Sequence, residues 1–156
     1  MTSEFEDLKT ILNERGILKE FELVVYPLPF VAVIGDLEKE VNDTYAPVDE
    51  GYTAIGKPGE GYGATTYHVR NKETSQLCCL VWVPNMEECK GSNFAHEAGH
   101  VTLEVFKYIG AHIDYEDQEP FCYLLGTIFR LMNGAFYEWK EFLEKKDKKK
   151  SKSKKK

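Results

Sequence analysis

The chain has 156 residues, 42% of them hydrophobic and 13% aromatic, enough for one domain with a genuine core. Its formal charge of −6 hides an asymmetry: from Lys145 onward nine lysines and one aspartate carry a net +8, which leaves about −14 on residues 1–144. An acidic body argues against a nucleic-acid-binding surface, and a low-complexity lysine run cannot bury apolar area.

The expected organisation is therefore a single domain over 1–144 and a disordered lysine-rich tail over 145–156. The tail is the one segment suited to weak contact with nucleic acid, an acidic partner or the acidic body itself. The opening MTSEFEDLKT is acidic and lacks the apolar stretch of a secretory signal, and no run of about eighteen apolar residues offers a membrane span. Cys78, Cys79, Cys89 and Cys122 form neither a C-x-x-C pair nor a disulfide framework. Reduced thiols and a cytoplasmic location are the expectation.

In chain order, residues 3–15 place Phe5, Leu8, Ile11 and Leu12 at helical spacing, with Ser3 and Glu6 as a capping box and Gly16 as the stop. Residues 20–34 are rich in β-formers but broken by Pro27 and Pro29, which predicts two short strands or one interrupted strand. Residues 35–61 read as a long surface connection with a short helix at 37–42, able to cover a site. The run GKPGEGYGA within it lacks the features of a phosphate-binding loop and reads as turns. Residues 63–83 form the clearest hairpin, turning at Asn71–Ser75. Its return strand LCCLVWV is apolar on both faces and so central. A helix over roughly 92–109 follows, capped by Ser92 or Asn93 and ended by Gly110, then a last helix over roughly 118–143, with a possible break near Gly134.

The penultimate helix carries His96-Glu97-Ala98-Gly99-His100. Residues four apart lie one above the other, roughly 6 Å apart, so both imidazoles can converge on one metal ion at Zn–N distances of about 2.0–2.1 Å. Glu97 sits about 100° round the same turn, beside a metal rather than on it, where a general base belongs. Phe94, Ala98, Val101, Val105 and Tyr108 cluster on the opposite side as a core-facing stripe. Gly99 leaves room for a substrate or another backbone to approach.

A third ligand is needed, and Glu119 is the first candidate. Pro120 in a first turn puts it at a helix N-terminus, where the dipole favours a carboxylate. Glu116 and Asp117 are rivals, and Cys89 is a lesser one. Glu119, Tyr123, Gly126 and Arg130 share one face of the last helix. Phe121, Leu124, Leu125, Ile128, Phe129, Leu131 and Met132 make the apolar face.

HEAGH, eighteen intervening residues and then a glutamate resemble the gluzincin type of zinc metallopeptidase. HEAGHVTLEVFKYIG with DYEDQEPFCYLLGTIFRLM also resembles the compact HExxH zincin-like proteins often encoded by bacteriophages and, more loosely, the ImmA/IrrE-type peptidases. The resemblance spans roughly residues 63–134. It implies an α+β, zincin-like fold, in which a small antiparallel sheet with a β-hairpin packs on the motif helix and a ligand-bearing helix follows. It also implies Zn2+ held by His96, His100 and Glu119, Glu97 as base, a peptide or protein substrate and, for a phage protein, action in the host cytoplasm.

Two features depart from the larger gluzincins. Tyr123 stands where an aspartate often orients a zinc histidine, and no histidine lies downstream to stabilise an oxyanion. Tyr123, Tyr115 and His112 are candidates for that helper, with Tyr67 or His68 behind them. The alternative function is a catalytically silent zinc-binding regulatory or interaction protein on the same scaffold. Hydrolysis of a non-peptide amide, as in deformylases, has weaker support. H-E-x-x-H sites accept divalent ions other than zinc.

Overall fold

The computed structural model describes residues 5–59 and 61–154. Six strands form one mixed sheet: β1 (Phe5–Asn13), β2 (Gly16–Leu23), β3 (Phe30–Gly35), β4 (Tyr45–Pro47), β5 (Thr65–Asn71) and β6 (Leu77–Val83), in the spatial order β1-β2-β3-β6-β5-β4. All neighbours are antiparallel except β3 and β6. Three helices accompany them among the described residues: α1 (Glu38–Thr44), α2 (Gly91–Tyr108) and α3 (Glu119–Ser153). The class is α+β with a mostly antiparallel sheet.

Alternation along the central strands divides the core into two layers. Phe30, Ala32, Ile34, Cys79, Val81 and Val83 face α2 and α3. Val31, Val33, Leu80 and Trp82 face α1, Tyr45 and Ile55 on the other side. β6 lies between β3 and β5 with six of its seven residues buried, as its two-sided apolar sequence requires.

The N-terminal segment is a correction. Residues 5–13 form an edge strand, not a helix, and Gly16 opens β2 instead of closing a helix. Ser3 of the expected capping box lies outside the described residues. The helical spacing has a specific origin. Phe5 packs on Phe21 and Leu12 on the same helix-facing layer, although they are seven positions apart. Strict alternation would put positions 5 and 12 on opposite faces. The register shift between Asp7 and Lys9 inserts one residue and restores them to the same face. Leu8, at the shift, is left half exposed.

α3 also departs from expectation. It runs through Gly134 without a break and continues past residue 143 to Ser153, so helix covers most of the segment expected as a disordered tail. Leu124, Ile128, Leu131, Met132, Ala135 and Trp139 recur at helical spacing and bury against the sheet. Trp139 Nε1 donates to the Asn13 carbonyl at 3.1 Å, and Lys19 pairs with Glu138 at 2.8 Å, fixing α3 under the β1–β2 hairpin. Lys146 pairs with Glu14 of the same hairpin turn. No helix among the described residues is long and apolar enough to cross a membrane.

The four cysteines are free. Burial, with the Glu20 carboxylate near Cys78 and the Glu104 carboxylate near Cys79, pushes both thiols up to about 12. Burial and Glu88 do the same to Cys89. Cys122 is exposed on α3. Because the thiolate is the reactive form, titration with a disulfide reagent at pH 8 is expected to modify Cys122 alone in the native protein. All four thiols should react in urea. Rapid native labelling of Cys78 or Cys79 would show that the sheet core is not closed as described.

Candidate metal and catalytic site

α2 starts without a side-chain cap: Lys90 is the N-cap residue, and both Ser92 and Asn93 lie inside the helix. Asn93 instead donates to the Glu88 carbonyl at 2.9 Å, tying the first turn of α2 to the short 3-10 turn at Met86–Glu88. The helix ends with Gly110 at φ +70°, the left-handed conformation that glycine adopts at no steric cost. Phe94, Ala98, Val101 and Val105 are buried as the stripe predicts, but Tyr108 is 51% exposed.

His96 and His100 stand on the exposed side of α2 with their Nε2 atoms 3.1 Å apart. Two donors at about 2.0–2.1 Å on a tetrahedral zinc ion lie roughly 3.3 Å apart, so the imidazoles already converge as a metal would hold them. Two ring nitrogens that face each other satisfy both only if a proton or a cation lies between them. This donor pair therefore fits a divalent metal.

Glu97 takes the opposite role. It is only 6% exposed, held between α2 and β5, where Thr66 Oγ1 donates to its Oε2 at 2.5 Å. Its Oε1 lies 4.0 Å from His96 Nε2. β5 pairs Thr66 with Val81 and His68 with Cys79, and both partners belong to the helix-facing layer. Thr66 and His68 therefore face α2, while Tyr67 faces the other side and donates to the Gly56 carbonyl at 2.7 Å. His68 Nε2 sits 3.3 Å from Glu104 Oε2. Together with Tyr62 and Thr65, these side chains line an open cleft of about 430 Å³ that holds His96, Glu97, His100 and Glu104.

The remaining expected residues are elsewhere. The Phe121 ring packs 5.6 Å from Phe106, so the start of α3 lies beside the C-terminal end of α2. Phe106 is six residues beyond His100, about 9 Å along the axis. Glu119 is exposed at that end and is not among the cleft residues. His112, Tyr115, Glu116 and Asp117 are exposed in the connection before α3, and Tyr123 is 55% exposed on α3. None of them lines the cleft. Cys89 Sγ approaches the Asn85 carbonyl at 3.6 Å instead. Among the described residues, no three His, Cys, Asp or Glu side chains already close on one point.

Sequence reasoning passed over Thr66 and Glu104 and ranked His68 low. The available signals were the two-residue alternation of Thr66 and His68 and the four-residue step from His100 to Glu104. Neither means anything until β5 is known to lie along α2. The chain matches no family model, no curated protein and no solved structure.

Proposed function

We propose that this chain is a zinc-dependent peptidase of zincin-like design, with Glu97 as general base. The observation that carries the reading is the convergence of His96 and His100 Nε2 at 3.1 Å beside a buried carboxylate in an open cleft. When bound, Zn2+ supplies a Lewis acid and an acidified water. The two histidines supply neutral nitrogen donors. Glu97 is fixed through Oε2 by the Thr66 hydroxyl, which leaves Oε1, on the His96 side, to take a proton and later return it to a leaving amine.

The sheet edge supports an extended substrate. The Val48 amide donates to the His68 carbonyl at 3.3 Å, so the peptide groups of His68 face the β4 side. Two residues earlier, those of Thr66 face the same way. β4 pairs only with Val69–Asn71, and no described strand covers Thr65–Tyr67 on that side. A peptide added along this edge would pass over the cleft with its main chain hydrogen-bonded.

The test is metal content and turnover on the same preparation. About one Zn2+ per chain is expected, lost in His96→Ala and His100→Ala, together with metal-dependent cleavage of a mixed peptide library. A chain that takes up no Zn2+ after reconstitution would overturn the proposal. Stoichiometric Zn2+ without cleavage of any peptide would support the silent, zinc-binding alternative.

A further inference from the structure

We infer that Glu104, held by His68, is the third protein ligand of this metal site, and that Glu119 is not. The assignment rests on His96 and His100 holding a divalent metal. Of the described residues lining the cleft, His68 and Glu104 are the only acid or imidazole groups besides the two histidines and Glu97. Glu97 is engaged by Thr66 on the sheet side of α2.

Position on the helix favours Glu104 over His68 as the ligand itself. Glu104 follows His100 by four residues and so stands one turn further along the same side of α2. Helical side chains lean toward the N-terminus, which directs its carboxylate back toward His100. Its side chain is 31% exposed, so one carboxylate oxygen can reach the cleft while the other stays beside His68. His68 already presents the far end of its ring, Nε2, to Glu104 Oε2 at 3.3 Å. Its remaining nitrogen, Nδ1, lies next to the strand backbone and is poorly placed to reach across. The pair thus has the form of a ligating carboxylate with one oxygen beside an imidazole nitrogen, 3.3 Å away, and the other available to the metal. The resulting set is His96, His100 and Glu104 from one helix, with the orienting group supplied by β5.

The experiment measures Zn2+ affinity of the full chain by chelator competition, and the visible spectrum of the Co2+ form, for the wild type and four variants. Glu104→Gln is expected to weaken Zn2+ binding by at least 100-fold and His68→Ala by about 10–100-fold, whereas Glu119→Gln leaves it unchanged. Glu104→His is expected to retain Co2+ with altered visible bands, because a nitrogen donor replaces an oxygen. A merely structural role for Glu104 would not move those bands. Wild-type affinity in Glu104→Gln combined with loss in Glu119→Gln would overturn this assignment and leave the metal site standing. A wild type that binds neither Zn2+ nor Co2+ would overturn both.

Discussion

Glu97→Gln is expected to abolish peptide cleavage while leaving the metal and the fold in place. The substitution preserves shape, and the glutamine amide oxygen accepts from Thr66 Oγ1 as Oε2 does now. The buried position therefore keeps its hydrogen bond, and the cost to stability should be below about 1 kcal/mol. What disappears is the ability of the second oxygen to take a proton. Loss of a positioned general base lowers the rate by about 10²–10⁴-fold.

The measurement pairs kcat on a cleaved peptide with Zn2+ stoichiometry in the same sample. Unchanged stoichiometry with a rate drop in that range places Glu97 in proton transfer. Undiminished turnover in Glu97→Gln would remove it from the mechanism, and a loss of metal with the rate would make it a ligand. Thr66→Val gives an independent view. It leaves the carboxylate but frees it to rotate, so its effect should be smaller than that of Glu97→Gln.

The elements legible in the sequence were those whose pattern shows within their own residues. β5 and β6 are runs of β-formers on either side of a turn at Asn71–Ser75, and α2 carries an uninterrupted apolar stripe from Phe94 to Val105. β1 was illegible because a single-residue bulge displaces its alternation, so Phe5 and Leu12 fit a helix better than a strand. β4 has only three residues, too few for any period, and exists because β5 offers it an edge. The same division holds at the site. His96, Glu97 and His100 are related by helical geometry alone, and the sequence displays that directly. The contact from Thr66 to Glu97 spans 31 positions, and the one from His68 to Glu104 spans 36. Such pairs depend on how β5 docks against α2, which a single sequence does not encode locally. Glu119 was favoured from spacing, yet spacing says nothing of the level at which α3 meets α2, and Phe106–Phe121 sets that level at the far end.

Gly35→Ala is expected to be the most destabilising single-methyl change in the chain, with Gly134→Ala as its opposite. Gly35 ends β3 at φ +101°, where an L side chain is strained. A Cβ there would lie 2.2 Å from the Arg15 carbonyl oxygen and 2.9 Å from Gly16 Cα. Neither neighbour can yield easily. The Arg15 carbonyl accepts from the Asp36 amide at 2.8 Å, and Gly16 is the first residue of β2. On the other side, the Gly35 carbonyl accepts from Trp82 Nε1 at 2.9 Å, and Trp82 is fully buried in the α1-facing core. Backbone strain of about 1–3 kcal/mol adds to displacement of the β1–β2 turn and loosening of the indole hydrogen bond. A total loss of at least about 3 kcal/mol follows, a large share of the stability of a domain this size. Gly134 has the reverse surroundings: it sits inside α3, and a Cβ would meet nothing within 4 Å. Alanine there should gain about 1 kcal/mol from helix propensity alone. Urea unfolding midpoints at equal m-values read both changes. A midpoint for Gly35→Ala equal to wild type would mean that the Arg15 turn does not press on β3. A lowered midpoint for Gly134→Ala would mean that α3 is not continuous through that residue.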